Sequence, residues 1–177
     1  MVVVAPVSGT VLVRRPGART ATPLGPHEEI PVGSLVDARR GTVALTSALP
    51  GGGTQTGRFS GGRFSITQPA RAEGMTELSL RGPELASCRP ASPGKARAAA
   101  RRKPARRLWG QDEGGRFRTR GRNSVATVRG TRWLTEDTCA GTRTRVLEGA
   151  VDVFDPRRGT TRRVSAGGSV LVRPVSR

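Results

Sequence analysis

Apolar residues in this chain recur at every second position, in short runs separated by glycine. Residues 42–46 read TVALT after Gly41, residues 63–67 read RFSIT after two glycines, and residues 169–172 read SVLV after Gly168. Successive side chains of a strand point to opposite faces of a sheet, so this period of two indicates half-buried strands. The runs are compatible with a sandwich, a barrel or a solenoid. We predict an all-β protein: a single sandwich or solenoid-like domain of about 13 short strands with Gly-rich turns.

Composition limits the core and the chemistry of this chain. The 177 residues predict one domain over 1–177, but they include only four Phe, two Trp and no Tyr. Valine, with 18 residues, must therefore supply much of the core. His27 is the only histidine, which leaves no two-His metal site and no conventional Ser/His/Asp triad with a second His. We expect no catalytic residue, no metal and no cofactor. The sequence contains no run of about 18 apolar residues, so it predicts no membrane span.

Positive charge is concentrated in one segment. The formal net charge is +18, and residues 87–107 contain eight basic residues, no acid and no Leu, Ile, Val or Phe. Such a segment cannot bury a core, so we predict a disordered basic loop inserted into the domain. Within it, Arg101, Arg102 and Lys103 are candidate contacts for an anionic partner.

A second basic pattern has the period of a strand. Residues 116–122 read RFRTRGR, and a strand would place Phe117 and Thr119 toward the core. The opposite face would carry a stripe with about 6.8 Å between neighbours, formed by Arg116, Arg118, Arg120 and Arg122. Such a stripe is suited to an anionic polymer. The alternative is a solvated face whose arginines pair with Asp or Glu of adjacent strands, because uncompensated like charges repel.

Residues 109–115 read WGQDEGG and predict a Gly-rich acidic loop between the two basic segments. The Lys-Ser/Thr of a phosphate-binding P-loop is missing from it. Two interpretations of Trp109 remain open: it anchors the basic segment on the sheet, or it stacks on a ligand.

Residues 142–147 and 150–155 alternate on either side of Glu148 and Gly149. A two-residue turn there predicts a β-hairpin in which Val146 faces Val151. On the outer face Arg145 would pair with Asp152, and Arg143 would lie over Phe154. The alternative is a corner at which the chain enters a different sheet. In the hairpin the buried side chains would be Thr144, Val146, Val151 and Val153, and at a corner the buried set would still be the valines.

Three segments in fixed order resemble a known family. Residues 128–133 read VRGTRW, residues 148–153 read EGAVDV and residues 166–170 read AGGSV. These are similar to the V-x-G-T-x-[FW], E-G-x-V-x-V and A-G-x-x-[VL] motifs of the FecR-type domain. Residues 30–36 (IPVGSLV) and 41–45 (GTVAL) resemble the opening of that domain. The chain is similar to stand-alone FecR-like domains of secreted or surface proteins in high-GC bacteria.

The resemblance implies an all-β domain outside the cytoplasmic membrane. In the founding family the domain relays occupancy of an iron-siderophore transporter to a sigma factor, but this sequence shows neither the anti-sigma segment nor a transmembrane helix. It shows no export signal either, so we expect a secreted, cell-surface or periplasmic protein whose signal is absent from this sequence. In that setting the only two cysteines, Cys88 and Cys139, are expected to form one disulfide. The alternative is two unpaired thiols.

The sequence therefore predicts a non-enzymatic, extracytoplasmic binding or scaffold domain. Its expected partner is a protein or an anionic polymer of the cell envelope. The alternative is a basic β protein that binds nucleic acid, although helix-turn-helix, zinc and RNP motifs are absent. We expect polyanion affinity to depend more on Arg116, Arg118 and Arg120 than on Arg157, Arg158 and Arg162.

Overall fold

The structure, a computed structural model, describes residues 1–69, 73–83 and 106–174. This part of the chain is all β, and it contains no helix. Its thirteen strands are β1 (Val2–Arg14), β2 (Thr22–Pro23), β3 (Glu28–Ile30), β4 (Leu35–Ala48), β5 (Thr54–Ser60), β6 (Arg63–Thr67), β7 (Thr76–Arg81), β8 (Arg106–Asp112), β9 (Phe117–Arg120), β10 (Val125–Thr138), β11 (Gly141–Asp155), β12 (Thr160–Ser165) and β13 (Ser169–Val172).

One sheet contains all thirteen strands, and it closes on itself. Seven strands form a ring in the order β4–β5–β8–β10–β9–β7–β6 and back to β4. Every neighbouring pair is antiparallel except β7 with β9, which are parallel. Strands β1, β2 and β3 extend the sheet beyond β4, and β11, β12 and β13 extend it beyond β10. The result is a flattened barrel with a flap of sheet on either side.

Four long strands, β1, β4, β10 and β11, bend midway, and two of them, β4 and β10, pass from one layer of the barrel to the other. The second half of β4 pairs with β5, whereas its first residues pair with β6. Strand β10 likewise pairs with β8 through 132–137 and with β9 through 125–128. The bends coincide with glycine: Gly9 of β1 faces Gly41 of β4, and β10 and β11 bend together at Gly130 and Gly149. At each bend the buried positions change from even to odd or the reverse, because the ladder shifts register there.

An aromatic cluster holds the two layers together at the centre of the core. The Phe59 ring of β5 lies 5.9 Å from that of Phe64, 5.4 Å from that of Phe117 and 6.2 Å from that of Trp133. Trp133 also donates its Nε1–H to Thr119 Oγ1 across the layers at 3.1 Å. Buried valines and leucines fill the remaining space, so the small core predicted from composition is organised around four rings.

The predicted hairpin at Glu148 and Gly149 is wrong. Residues 141–155 form the single strand β11, which pairs along its whole length with β10. Val146 therefore faces Trp133, and Val151 faces Val128 and Val164. Arg145 pairs with Leu134 and Ser169, Asp152 pairs with Thr127 and Arg163, and Arg143 pairs with Glu136 and Leu171. The burial of Thr144, Val146, Val151 and Val153 is confirmed.

The corner interpretation comes closer to the observed strand. Gly149 has φ +72°, and a Cβ at this position would lie 2.6 Å from the carbonyl oxygen of Gly130. The glycine thus allows β11 to bend against β10 without ending the strand. Before the bend β11 pairs with β13, and after it with β12.

Two further predictions need correction. Residues 109–112 are not a loop but the end of β8. Arg106 and Arg107, the last two residues of the predicted basic loop 87–107, are the first two residues of the same strand. The rest of that loop lies outside the described residues. The strands are also not uniformly short, since β1, β4, β10 and β11 have 13 to 15 residues each. The sequence interpretation divided these strands at their internal glycines.

Candidate functional site

The predicted arginine stripe lies on β9, with the orientation expected from its period. Phe117 and Thr119 are fully buried, whereas Arg118 and Arg120 project from the outer face of the layer formed by β4, β6, β7 and β9. Strand β9 runs parallel to β7, and this pairing brings Glu77 opposite Arg118. The stripe therefore has a carboxylate beside it.

Glu77 binds both arginines of the stripe. Its Oε2 lies 2.7 Å from Arg118 Nε, and its Oε1 lies 2.5 Å from Arg120 Nε. Arg120 donates a second hydrogen bond from Nη2 to Oε2 at 2.9 Å. Burial by itself raises the pKa of Glu77, but the hydrogen bonds and charges of Arg120 and Arg118 outweigh burial and hold the pKa below its ordinary value. The ion pairs given above as the alternative to a free stripe are thus formed, and two guanidinium charges face one carboxylate.

We predict that Glu77→Gln removes a pH-dependent part of the stability. Because the pKa of Glu77 is lowered in the folded state, its contribution is present above the unfolded pKa of about 4.3 and is lost as the pH falls through the folded value. At pH 7 the variant should lose about 1.5–3 kcal/mol of unfolding free energy, which is typical of hydrogen bonds to a charged group. Urea unfolding at pH 7 and at pH 3 measures the loss, which should be smaller at the lower pH. Glu29→Gln, at an exposed carboxylate of β3, is the control; an equal loss in both variants would contradict the prediction.

The remaining predicted residues are spread over the surface. Arg116 precedes β9 and donates from Nη1 to the carbonyl oxygen of Glu73 at 2.8 Å. Arg122 lies in the turn after β9, where its backbone N–H donates to the Asp137 carboxylate and its side chain is exposed. Trp109 is half-buried on β8, which belongs to the opposite layer. It is thus part of the sheet itself, and the structure does not bring it together with the stripe.

Four predicted residues, Cys88, Arg101, Arg102 and Lys103, lie outside the described residues. Cys139 lies in the turn between β10 and β11. The disulfide between Cys88 and Cys139 therefore stays a prediction.

The outer face beside the stripe contains a basic depression that the sequence interpretation missed. The depression has a volume of about 500 Å³, and its lining includes four arginines from four strands: Arg14, Arg63, Arg81 and Arg106. Leu35, Ser65, Gly33 and Gly82 complete the lining, and among the described residues it includes no carboxylate. Each arginine is the first or last residue of its strand. The register explains the cluster, because Arg63 is directly opposite Arg81 and Leu35 is directly opposite both Arg14 and Ser65.

Asp37 is the acid beside the depression, and it is shared between two arginines. Arg39 binds it in two-pronged geometry, from Nε at 2.9 Å and from Nη2 at 2.8 Å. Arg63 Nε lies 3.2 Å from the same carboxylate. Burial by itself raises the pKa of Asp37, but the hydrogen bonds and charge of Arg39, with the charge of Arg63, hold the pKa below its ordinary value. Asp37 thus remains an anion, and its single negative charge only partly balances the two positive charges of Arg39 and Arg63.

We call this surface the arginine face. It comprises two carboxylates, Asp37 and Glu77, and seven arginines: Arg14, Arg39, Arg63, Arg81, Arg106, Arg118 and Arg120. Arg14, Arg81 and Arg106 hydrogen-bond only to neutral oxygens within the described part of the chain. Within the described residues, the excess positive charge of the face is therefore concentrated at the depression.

The rest of the described structure contains one further depression of note, which is smaller and less basic than the first. A second depression of about 320 Å³ lies between the β4–β5 turn and the loop before β9, with Glu113 and Arg116 as its charged lining. Within residues 1–69, 73–83 and 106–174, no three His, Cys, Asp or Glu side chains approach closely enough to hold a metal ion. The same residues include no helix that could cross a membrane.

Comparison with known proteins gives few similarities. No protein-family model matches the chain, and no curated protein does. Two crystal structures of a putative anti-sigma factor from Parabacteroides distasonis ATCC 8503 are similar to it, each with 14% sequence identity. One has a TM-score of 0.39 and covers 75% of this chain and 47% of that chain; the other has a TM-score of 0.40 and covers 98% and 55%. The chain thus spans about half the length of those proteins, and likenesses of this size say nothing about its activity.

Proposed function

We propose that this chain is a FecR-type β domain that acts outside the cytoplasmic membrane as a non-enzymatic binding domain. Its partner is an anionic polymer of the cell envelope, and the arginine face binds that polymer. The depression lined by Arg14, Arg63, Arg81 and Arg106 is the observation that carries this proposal. Guanidinium groups suit such a partner because their planar forks bind phosphate and carboxylate groups with two parallel hydrogen bonds.

The positions of the family motifs support the FecR-type part of the proposal. Residues 128–133 contain the bend of β10, residues 148–153 contain the bend of β11, and residues 166–170 connect β12 to β13. The three segments lie side by side: the backbone N–H of Ala166 donates to the carbonyl oxygen of Gly149 at 2.9 Å, and Gly149 packs against Gly130. The three segments therefore lie at the same level of the sheet, where β10 and β11 bend and the chain turns from β12 into β13.

Binding to three polymers of matched total charge tests the proposed partner. We expect polyglycerol phosphate to bind the protein, with an affinity that falls as salt rises, and double-stranded DNA to bind no more tightly. The slope of log affinity against log salt should be negative, by about 0.7–0.9 for each phosphate that the protein contacts. Heparin, the third polymer, carries negative charge without phosphate. Weaker binding to heparin than to polyglycerol phosphate would show that phosphate is required, and equal binding would show that charge alone is sufficient. A clear preference for DNA would favour a nucleic-acid-binding function instead, and the absence of binding to all three would overturn the proposal.

Paired charge removals test the proposed surface. The double variant Arg14→Ser, Arg81→Ser should weaken polymer binding about tenfold or more, since each removes a charge-assisted hydrogen bond. The matched control is Arg157→Ser, Arg162→Ser, which removes two exposed charges from the β11–β12 turn and β12. Equal losses in the two double variants would mean that binding follows net charge, without an organised surface.

A further inference from the structure

We propose that the depression between Arg14, Arg63, Arg81 and Arg106 is a pocket for a single phosphate group. This inference rests on the proposed function and deepens it, because it names the anionic group that the polymer presents. The phosphate belongs either to a polymer or to a free small molecule, and both present the same tetrahedral oxygens.

Three of the four arginines of the pocket are held in place by uncharged acceptors within the described residues. Arg81 Nε donates to Ser65 Oγ at 3.0 Å. Arg106 donates from Nε and Nη2 to the carbonyl oxygen of Pro83, at 3.3 and 3.2 Å, and Arg14 Nη1 donates to that of Ala18 at 3.3 Å. All three acceptors are uncharged, and each guanidinium retains further N–H groups for a ligand. Because Ser65 Oγ accepts from Arg81, the hydroxyl hydrogen of Ser65 is left to donate.

The register places two like charges side by side within the pocket. Arg63 and Arg81 are direct cross-strand partners on the same face of β6 and β7. Like charges in this position destabilise a sheet. Asp37 compensates only in part, because it is bound more closely by Arg39. An anion between the two guanidinium groups would relieve the repulsion.

The directions from which the donors come favour phosphate over carboxylate. The four arginines come from the ends of four different strands, β1, β6, β7 and β8, and all four line the depression. A carboxylate has two oxygens in one plane and suits one guanidinium fork. The oxygens of a phosphate are not coplanar, so several forks bind them at once.

Thermal unfolding with inorganic phosphate tests the pocket, with acetate at the same ionic strength as the reference. Phosphate at a hundredfold excess over its Kd should raise the Tm of the wild-type protein by about 5–10 °C more than acetate does. Arg81→Gln should have a Tm without phosphate that equals or exceeds the wild-type value, because the substitution removes the repulsion from Arg63. The phosphate-specific shift should be lost in this variant, whereas Arg162→Gln on β12 should retain it.

The possible results separate the pocket from the proposed function. Equal Tm shifts with phosphate and acetate, or a full phosphate shift in Arg81→Gln, would overturn the pocket even if polyglycerol phosphate binds the protein. A phosphate shift that depends on Arg81, in a protein that binds no polymer, would support the pocket for a free phosphate and overturn the polymer function. If Arg81→Gln does not fold, Arg106→Gln on the other side of the depression gives the same comparison.

Discussion

Val151→Asp should abolish cooperative folding at 25 °C. Val151 is 0% exposed and is the register partner of Val128 in β10 and of Val164 in β12. The substitution loses about 1.5–3 kcal/mol of hydrophobic burial and places an unpaired carboxylate in the core at a cost of several kcal/mol. A domain of ordinary stability, about 5–15 kcal/mol, retains little after such a loss. Circular dichroism and urea titration would measure the effect.

Leu147→Asp on the same strand is the matched control. Leu147 is 37% exposed and lies four residues before Val151, on the other side of the bend at Gly149. We expect this variant to lose less than about 1 kcal/mol, as surface substitutions usually do. If Val151→Asp unfolds at the same urea concentration as Leu147→Asp, the assignment of Val151 to the core is wrong.

Gly9→Ala should lower the unfolding free energy by about 2–5 kcal/mol. Gly9 has φ +64°, which costs an L-residue about 1–2 kcal/mol. A Cβ at Gly9 would also lie 2.2 Å from the carbonyl oxygen of Arg40, so β1 and β4 would have to separate at their common bend. Overpacking of this kind typically adds about 1–3 kcal/mol.

Gly17→Ala separates the two costs. Gly17 has φ +80°, and a Cβ there would meet nothing within 4 Å. This variant carries the conformational cost alone, so it should lose only about 1–2 kcal/mol. Urea unfolding of both variants gives the difference, which measures the close approach of β1 to β4. Equal losses would show that the contact between Gly9 and Arg40 has no energetic weight.

Alternation in the sequence predicted the fold class and many of the buried positions, but not the strand boundaries. At some glycines the buried positions change from even to odd numbers, and this pattern is found both in a hairpin turn and in a bend of one continuous strand. Gly149 lies in such a bend, because β10 bends beside it at Gly130 and the two strands remain paired. That pairing depends on residues outside the local pattern. Strand β8 was missed for a related reason, since the glycines and acids beside Trp109 are typical of a loop.

The local part of the site was predictable, and its long-range part was not. The period of residues 116–120 correctly placed Phe117 and Thr119 inside and Arg118 and Arg120 outside. Glu77, which binds both arginines, lies 41 residues before Arg118 in the chain and reaches it through a parallel strand pair. The depression as a whole has no local signature, because its four arginines lie at the ends of four separate strands. Only the sheet register brings them together.

NMR of the arginine Nε–Hε groups during titration with polyglycerol phosphate is the most direct test of the central claim, which is that an anionic polymer binds this protein through the arginine face. Substitution of single arginines assigns each resonance. We expect the resonances of Arg14, Arg63, Arg81 and Arg106 to shift first and saturate together, because they line one depression. The resonances of Arg118 and Arg120 should shift less, because Glu77 already binds them. Uniform shifts that include Arg157 and Arg162, or no shift at the four arginines of the depression, would contradict the claim.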